Sequence, residues 1–154
     1  MPYERLRNMA LAMTPAGIGL PDLEPGRPYG VVMEFDVDGD TATLAAFGNG
    51  DCSIYFSFGG GTIGGGQHES SAAAAKRLVR LSEAYLPRLS RAIEQPRPGP
   101  GDVNFYVLTT DGTFGVTRPE KGLTVGTDEF SELYSAGHDV ITQLRLIQDR
   151  MQAR

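Results

Sequence analysis

The chain has 154 residues, the usual length of a single domain, and we treat residues 1–154 as one domain. Hydrophobic residues make up 40% and charged residues 21%, which is typical of globular proteins and excludes a disordered or fibrous class. The formal charge of −5 argues against a general nucleic-acid-binding protein. No apolar run approaches the length of a membrane span and the N-terminus does not resemble a signal peptide, so we expect a soluble cytoplasmic protein.

The first predicted element is a helix over residues 3–13, in which apolar residues recur at steps of three and four. A connector rich in proline and glycine follows. From Tyr29 the apolar period changes to two, which predicts a strand. One face of this strand carries Tyr29, Val31, Met33, Phe35 and Val37, and the other carries Val32, Glu34 and Asp36.

Two further strands are expected to complete a meander. Asp38-Gly39 tolerates the positive φ of a tight turn, so residues 41–47 form the return strand. A second turn precedes a third strand, in which Ile54, Phe56 and Phe58 share one face.

A long amphipathic helix is predicted over residues 71–93, kinked at Pro87 but continuous. Its basic residues lie on the side opposite the apolar ones. The apolar side consists of Ala75, Leu78, Val79, Leu81, Tyr85, Leu86, Leu89, Ala92 and Ile93.

The last third of the chain predicts a hairpin and a helix. Residues 103–110 and 113–118 form the hairpin about Asp111-Gly112. Thr127 is the expected cap of the final helix, with Asp128 and Glu129 in its first turn.

The predicted order α-β-β-β-α-β-β-α indicates an α+β fold in which three helices cover one face of a five-stranded antiparallel sheet. The sheet consists of the three-strand meander and the hairpin. This layout loosely resembles the profilin and roadblock type of small domain, which regulatory and dimerising proteins use. The resemblance is one of layout and does not extend to any motif residues.

The glycine-rich loop between the third strand and the second helix is a candidate ligand site. Gly59, Gly61 and Gly64 match the spacing G-x-G-x-x-G, but no acidic strand residue follows as in a dinucleotide fold, and the end of a Walker loop is missing. The loop is either a structural corner or a site for a phosphate- or carboxylate-bearing ligand at a helix N-terminus. Its residues are Gly59, Gly60, Gly61, Gly64, Gly65, Gly66, Gln67, His68, Ser70 and Ser71; Ser70 or Ser71 is the expected helix cap.

The basic side of the second helix is a candidate partner surface. Residues 76–97 carry a net charge of +4, so the remainder of the chain carries −9. Such a face is either simply solvated or binds an acidic partner, including the acidic hairpin at residues 34–40 of a second copy. Its members are Lys76, Arg77, Arg80, Arg88 and Arg91.

No metal or cofactor site is expected. Asp36, Asp38 and Asp40 do not fit the EF-hand spacing, and the single cysteine excludes a cysteine-based zinc site. We interpret Cys52 as a small buried hydrophobic residue rather than a nucleophile served by His68 or His138, and we expect His138 to face water.

These patterns favour a small interaction or regulatory domain without catalysis. A homodimer is expected, because the outer sheet face mixes Val32, Phe47 and Tyr55 with polar residues as interfaces do. The alternative is a ligand-binding protein or enzyme that uses residues 59–71. A third hypothesis is an inhibitor or immunity protein that blocks a basic partner.

Overall fold

The computed structural model of the chain describes residues 2–152, which form helices and the strands of one sheet. The helices are α1 (Tyr3–Leu11), α2 (Glu69–Ser82), α3 (Glu120–Val125) and α4 (Ser131–Gln152). The strands are β1 (Pro28–Val37), β2 (Asp40–Phe47), β3 (Cys52–Phe56), β4 (Gly61–Thr62), β5 (Ser90–Arg91), β6 (Asp102–Thr109) and β7 (Gly112–Pro119).

The strands form one antiparallel sheet in the order β4-β3-β2-β1-β6-β7-β5. This confirms the α+β class, the meander and the second hairpin. The first turn has Asp38 and Gly39 at φ of 53° and 91°, as an Asp-Gly hairpin requires. The expected five strands are wrong, because β4 and β5 add a pair of residues at each edge. Two residues are too few to show a period in the sequence.

Helices cover both faces of the sheet, so the expectation that they cover one face is wrong. Helices α2 and α4 pack on the face that includes Val31, Met33 and Phe105. Helix α1 and the following connector pack on the opposite face, where Ala10 and Ile18 cover Val32 and other side chains. The mixed outer face is therefore a second core. Its sheet residues include Val32, Ala45, Phe47, Tyr55, Tyr106 and Leu108.

Tyr29 lies on this second face, although the alternation predicts it beside Val31. The register between β1 and β6 shifts between Pro28 and Gly30, so Tyr29 is an extra residue on β1. Because the extra residue shifts the alternation of side chains by one, Tyr29 points to the face opposite that of Val31. The Tyr29 hydroxyl donates a hydrogen bond to the Met13 carbonyl oxygen at 2.7 Å.

A buried ion pair fixes α1 on the sheet. Nε and Nη2 of Arg7 donate to the two carboxylate oxygens of Glu34 at 2.7 and 2.8 Å, and both side chains are shielded from water. The Thr43 hydroxyl donates to the same carboxylate at 2.7 Å. Arg7 also donates to the carbonyl oxygen of Gln95 at 2.6 Å, which ties the proline-rich segment after β5 to the same helix.

The second long helix is shorter than predicted. Helix α2 ends at Ser82, a 3₁₀ helix follows over Glu83–Arg88, and Leu89 is extended. The continuous helix to residue 93 is thus wrong, because Pro87 lacks an N–H and the tightened turn leads into β5. Ile93, expected on the buried side, is 85% exposed.

The final helix begins at Ser131, and Thr127 is not its cap. The short helix α3 precedes it, so the expectation of three helices is wrong; α3 ends at Gly126, whose φ of 85° favours glycine. The Thr127 N–H donates to the Gly122 carbonyl at 3.1 Å and so closes α3. The Asp128 carboxylate, three residues before α4, accepts from the Phe130 N–H at 2.8 Å.

Candidate functional site

The glycine-rich loop forms a hairpin back onto β3 before it enters α2. Strand β3 ends at Phe56, so Phe58 lies outside it and stacks on Phe56 at 5.0 Å between ring centroids. Gly59, Gly60, Gly61 and Gly64 all have positive φ. At Gly61 an added Cβ would collide with the carbonyl oxygen of Ile54, across the β3–β4 pair. The glycines are thus required by the chain path itself.

Close packing accounts for the next two glycines. A Cβ on Gly65 would meet the sulfur of Cys52 and the side chain of Leu144, and one on Gly66 would meet Asp51. Helix α2 begins at Glu69 after His68, which makes no side-chain cap. The expectation that Ser70 or Ser71 caps the helix is wrong. Ser71 is buried within the first turn, and its hydroxyl donates back to the carbonyl oxygen of Gly65.

The exposed end of this loop meets the C-terminal turns of α4. Gln67, His68 and Ser70 line shallow depressions that they share with Arg150. Glu69 and Asp149 line the same region and bring negative charge to it. Arg150 was not among the predicted residues, since its position beside the loop arises only from the antiparallel packing of α4 against α2.

The five predicted basic residues do not form one stripe. Arg77 faces α4, where its Nη1 lies 3.4 Å from the Asp139 carboxylate. Arg88 and Arg91 follow α2 and lie over aromatic rings; Cζ of Arg91 is 5.0 Å from the ring centroid of Phe114. Lys76 and Arg80 turn to the other side of α2, toward the connector between α1 and β1.

Lys76 and Arg80 flank an open depression of about 460 Å³ between α2 and the connector. Leu20, Leu23 and Val79 supply its apolar lining. We call this depression the basic cleft. A third cation at its rim, Arg27, is held at 3.1 Å from Glu83 and 3.9 Å from Glu24.

The two helix cations of the basic cleft are free of such partners. Within residues 2–152, no carboxylate oxygen lies within 4.0 Å of the Lys76 or Arg80 side-chain nitrogens. Both residues are exposed and stand one turn apart on α2. The cleft therefore offers two unneutralised positive charges beside an apolar surface, which is the chemistry that binds a carboxylate with an adjoining apolar group.

A smaller depression of about 280 Å³ lies further along the same side of the domain. Its lining includes Leu86, Pro87 and Phe114, with Gly26 and Asp111 at its rim. We call it the apolar pocket. Gly26 precedes Arg27 in the connector, and Leu86 follows Glu83 by one turn of the 3₁₀ helix, so the pocket adjoins the basic cleft.

Within residues 2–152, no hydrogen bond joins Cys52 to His68 or His138. Cys52 is buried and its Sγ lies 3.7 Å from the Ser71 carbonyl oxygen; burial raises the pKa of its thiol to about 11. This agrees with its interpretation as a small hydrophobic residue. His138 is half-buried against Phe35 and Tyr134, with ring centroids 5.4 and 4.4 Å away, so the expectation that it faces water is wrong.

The acidic hairpin is a structural turn. Asp36 accepts from the Gly39 N–H at 3.1 Å, Asp40 accepts from the Ser57 hydroxyl at 3.0 Å, and Glu34 is buried on Arg7. Over the described part of the chain, no three histidine, cysteine or acidic side chains cluster in a way that could hold one metal ion.

Comparison with known proteins adds no family. No protein-family model, no curated protein and no solved structure matches the chain, so the loose likeness to the profilin and roadblock layout gains no support. In the part of the chain that the structure describes, none of the helices is both long and apolar enough to cross a membrane.

Proposed function

We propose that the chain is a non-catalytic interaction domain whose basic cleft binds an acidic segment of another protein. The observation that carries this proposal is the position of Lys76 and Arg80. Their charges have no carboxylate within 4.0 Å among residues 2–152, and they stand beside the apolar lining of Leu20, Leu23 and Val79.

The strength of binding follows from the kinds of contact available. Two exposed ion pairs contribute about 0.2–1 kcal/mol each. Burying one leucine-sized side chain in the cleft contributes about 1.5–3 kcal/mol. Association also has an entropic cost. The complex is therefore weak and transient, and it weakens further as salt screens the charges over a Debye length of about 8 Å.

Charge reversal tests this proposal. The probe is a fluorescein-labelled hexapeptide, Asp-Glu-Leu-Ser-Ser-Ser, titrated with protein and followed by fluorescence anisotropy. We expect Arg80→Glu to abolish binding, since it places a carboxylate in the cleft. Arg145→Glu, at an exposed position of α4, is the matched control because it changes the net charge equally. Equal affinities of the two variants for the peptide would show that binding depends only on the net charge of the protein, which would contradict the proposal.

The expected homodimer loses its structural basis. That expectation rested on an open sheet face, and α1 and the connector cover this face. The acidic hairpin, which was expected to meet the basic helix of a second copy, holds Asp36 on the Gly39 N–H and Asp40 on the Ser57 hydroxyl. Self-association would thus need another surface.

A second candidate function is the binding of a small phosphate- or carboxylate-bearing molecule at the start of α2. The observation in its favour is that Arg150 joins Gln67, His68 and Ser70 around one set of depressions. Inorganic phosphate should then raise the melting temperature of the protein, and Arg150→Ala should remove that rise. At a phosphate concentration 50-fold above a millimolar Kd, binding would add about 2 kcal/mol to the free energy of unfolding. A melting temperature that does not change under these conditions would refute this candidate.

A further inference from the structure

The basic cleft and the apolar pocket are neighbouring depressions, because Pro28, which lines the cleft, pairs with Thr109, which lines the pocket. We call the two together the groove. The two depressions adjoin along the side of the domain where the connector faces α2 and the 3₁₀ helix. The Arg27–Glu83 ion pair, at 3.1 Å, bridges the connector and the 3₁₀ helix between them. Both side chains of this pair are about half exposed, at 54% and 48%, so they lie at the rim rather than across a sealed wall.

The rise of the 3₁₀ helix between one residue of each depression suits an extended chain. Glu83 lines the basic cleft and Leu86 lines the apolar pocket, and three residues of 3₁₀ helix rise about 6 Å. Side chains at positions i and i+2 of an extended peptide point to the same side and lie about 6.6 Å apart. Two such side chains would therefore enter the two depressions, and the residue between them would pass over the Arg27–Glu83 pair.

The charges differ along the groove. At the end nearest the start of α2, Lys76 and Arg80 are unneutralised, which favours an acidic residue there. In the apolar pocket, Asp111 lines the rim and Arg91 is engaged with the Phe114 ring and the Asp111 carbonyl oxygen. That pocket therefore selects an apolar side chain and gives no advantage to a second carboxylate.

We propose that the ligand is an extended peptide segment in which acidic residues adjoin two apolar residues at positions i and i+2, in either chain direction. This inference rests on the proposed function and deepens it, since it excludes a small anion as the natural occupant. The acidic end lies at Lys76 and Arg80, the first apolar side chain enters the basic cleft, and the second enters the apolar pocket at Leu86, Pro87 and Phe114.

The test compares a peptide with one leucine, the one-anchor peptide, with a peptide that has two leucines, the two-anchor peptide. The hexapeptide Asp-Glu-Leu-Ser-Leu-Ser has a leucine in place of the fifth residue, a serine, of the first probe. Each peptide is also made with the reversed sequence, because the groove does not fix the chain direction of the ligand. We expect the second leucine to tighten binding about tenfold in one direction, the effect of burying most of one leucine side chain. A Kd that is unchanged by the second leucine in both directions would overturn the inference.

Variants of the apolar pocket separate this inference from the proposed function. Phe114→Ala should remove the tenfold advantage of the second leucine and leave the one-anchor peptide unaffected. Leu86→Ala, at a half-buried position of the same pocket, should reduce the advantage partly, and it serves if Phe114→Ala does not fold. Ile93→Ala is the control, because Ile93 is 85% exposed and lies outside the groove.

The outcomes are distinguishable. If both peptides bind equally and Arg80→Glu abolishes both, the acidic-partner function stands and the extended-peptide inference falls. If neither peptide binds, or Arg80→Glu has no effect, both fall. Displacement of the two-anchor peptide by inorganic phosphate at an equal concentration would mean that a small anion is the occupant, which also overturns the inference.

Discussion

Replacement of Arg7 by methionine tests whether the buried ion pair holds α1 on the sheet. Methionine keeps the apolar bulk of the side chain and removes the charge. It leaves the Glu34 carboxylate buried without its cation, and only the hydroxyl of Thr43 still donates to it directly. The Gln95 carbonyl oxygen also loses the donor that joins it to α1.

The expected loss is large for a single substitution. Side-chain exposure is 8% for Arg7 and 0% for Glu34, so the pair belongs to the buried class, for which removal of one partner costs about 3–5 kcal/mol. A domain of this size is stable by about 5–15 kcal/mol in total. At about 2–4 °C per kcal/mol, the melting temperature should fall by roughly 10 °C.

The measurement is urea unfolding followed by circular dichroism. Arg5→Met is the control, because Arg5 is exposed on the same helix and its loss should change the free energy of unfolding by no more than about 0.5 kcal/mol. The double variant Arg7→Met/Glu34→Met removes both charges and should recover most of the stability. Equal midpoints for Arg7→Met and Arg5→Met, or a double variant less stable than Arg7→Met, would refute the reasoning.

Three further predictions concern the loop, the histidine and the thiol. Gly61→Val should destabilise the protein more than Gly60→Ala in thermal unfolding, because only Gly61 faces backbone across the β3–β4 pair; equal losses would contradict this. Burial lowers the folded-state pKa of His138 below 6.5, so the unfolded chain binds more protons and stability should fall as the pH drops below 6.5. His138→Phe should flatten this dependence in urea titrations, and an unchanged pH profile would exclude His138 as its source. Cys52, whose pKa is raised to about 11, should resist iodoacetamide at pH 8 in the folded protein and react in urea; rapid alkylation of the native thiol would show that it is accessible.

The sequence predicts those parts of the fold whose signals are local and long. Strands β1 and β2 are ten and eight residues long, and Asp38-Gly39 marks the turn between them. Asp111-Gly112 marks the turn between β6 and β7 in the same way. Strands β4 and β5 have only two residues each, so they exist only because a neighbouring strand pairs with them.

Other features depend on the tertiary fold. Arg7 and Glu34 are each polar residues at positions that read as solvent-facing, and only their mutual contact makes burial favourable. The segment after residue 82 has the apolar period of an α-helix, but Pro87 cannot donate a backbone hydrogen bond. The chain therefore forms a 3₁₀ helix and then strand β5.

The candidate site was half predictable. Lys76 and Arg80 are evident from the charge pattern of α2, whereas the cleft lining comes partly from a connector whose one regular element is a 3₁₀ turn at Ala16–Ile18. The one available signal was the pair Leu20 and Leu23, two large apolar residues in a stretch otherwise rich in proline and glycine. Their partners across the cleft depend on how the connector folds, and local sequence does not encode that path.

The contact from Arg7 to Gln95 has a consequence for the order of events during synthesis. The two residues are 88 positions apart, so at about 5–20 residues per second the ribosome adds Gln95 roughly 4–18 s after Arg7. Until then the guanidinium of Arg7 has Glu34 within reach but lacks its third acceptor oxygen. The first helix is the first to emerge, yet it completes its contacts only after 95 of the 154 residues have been joined.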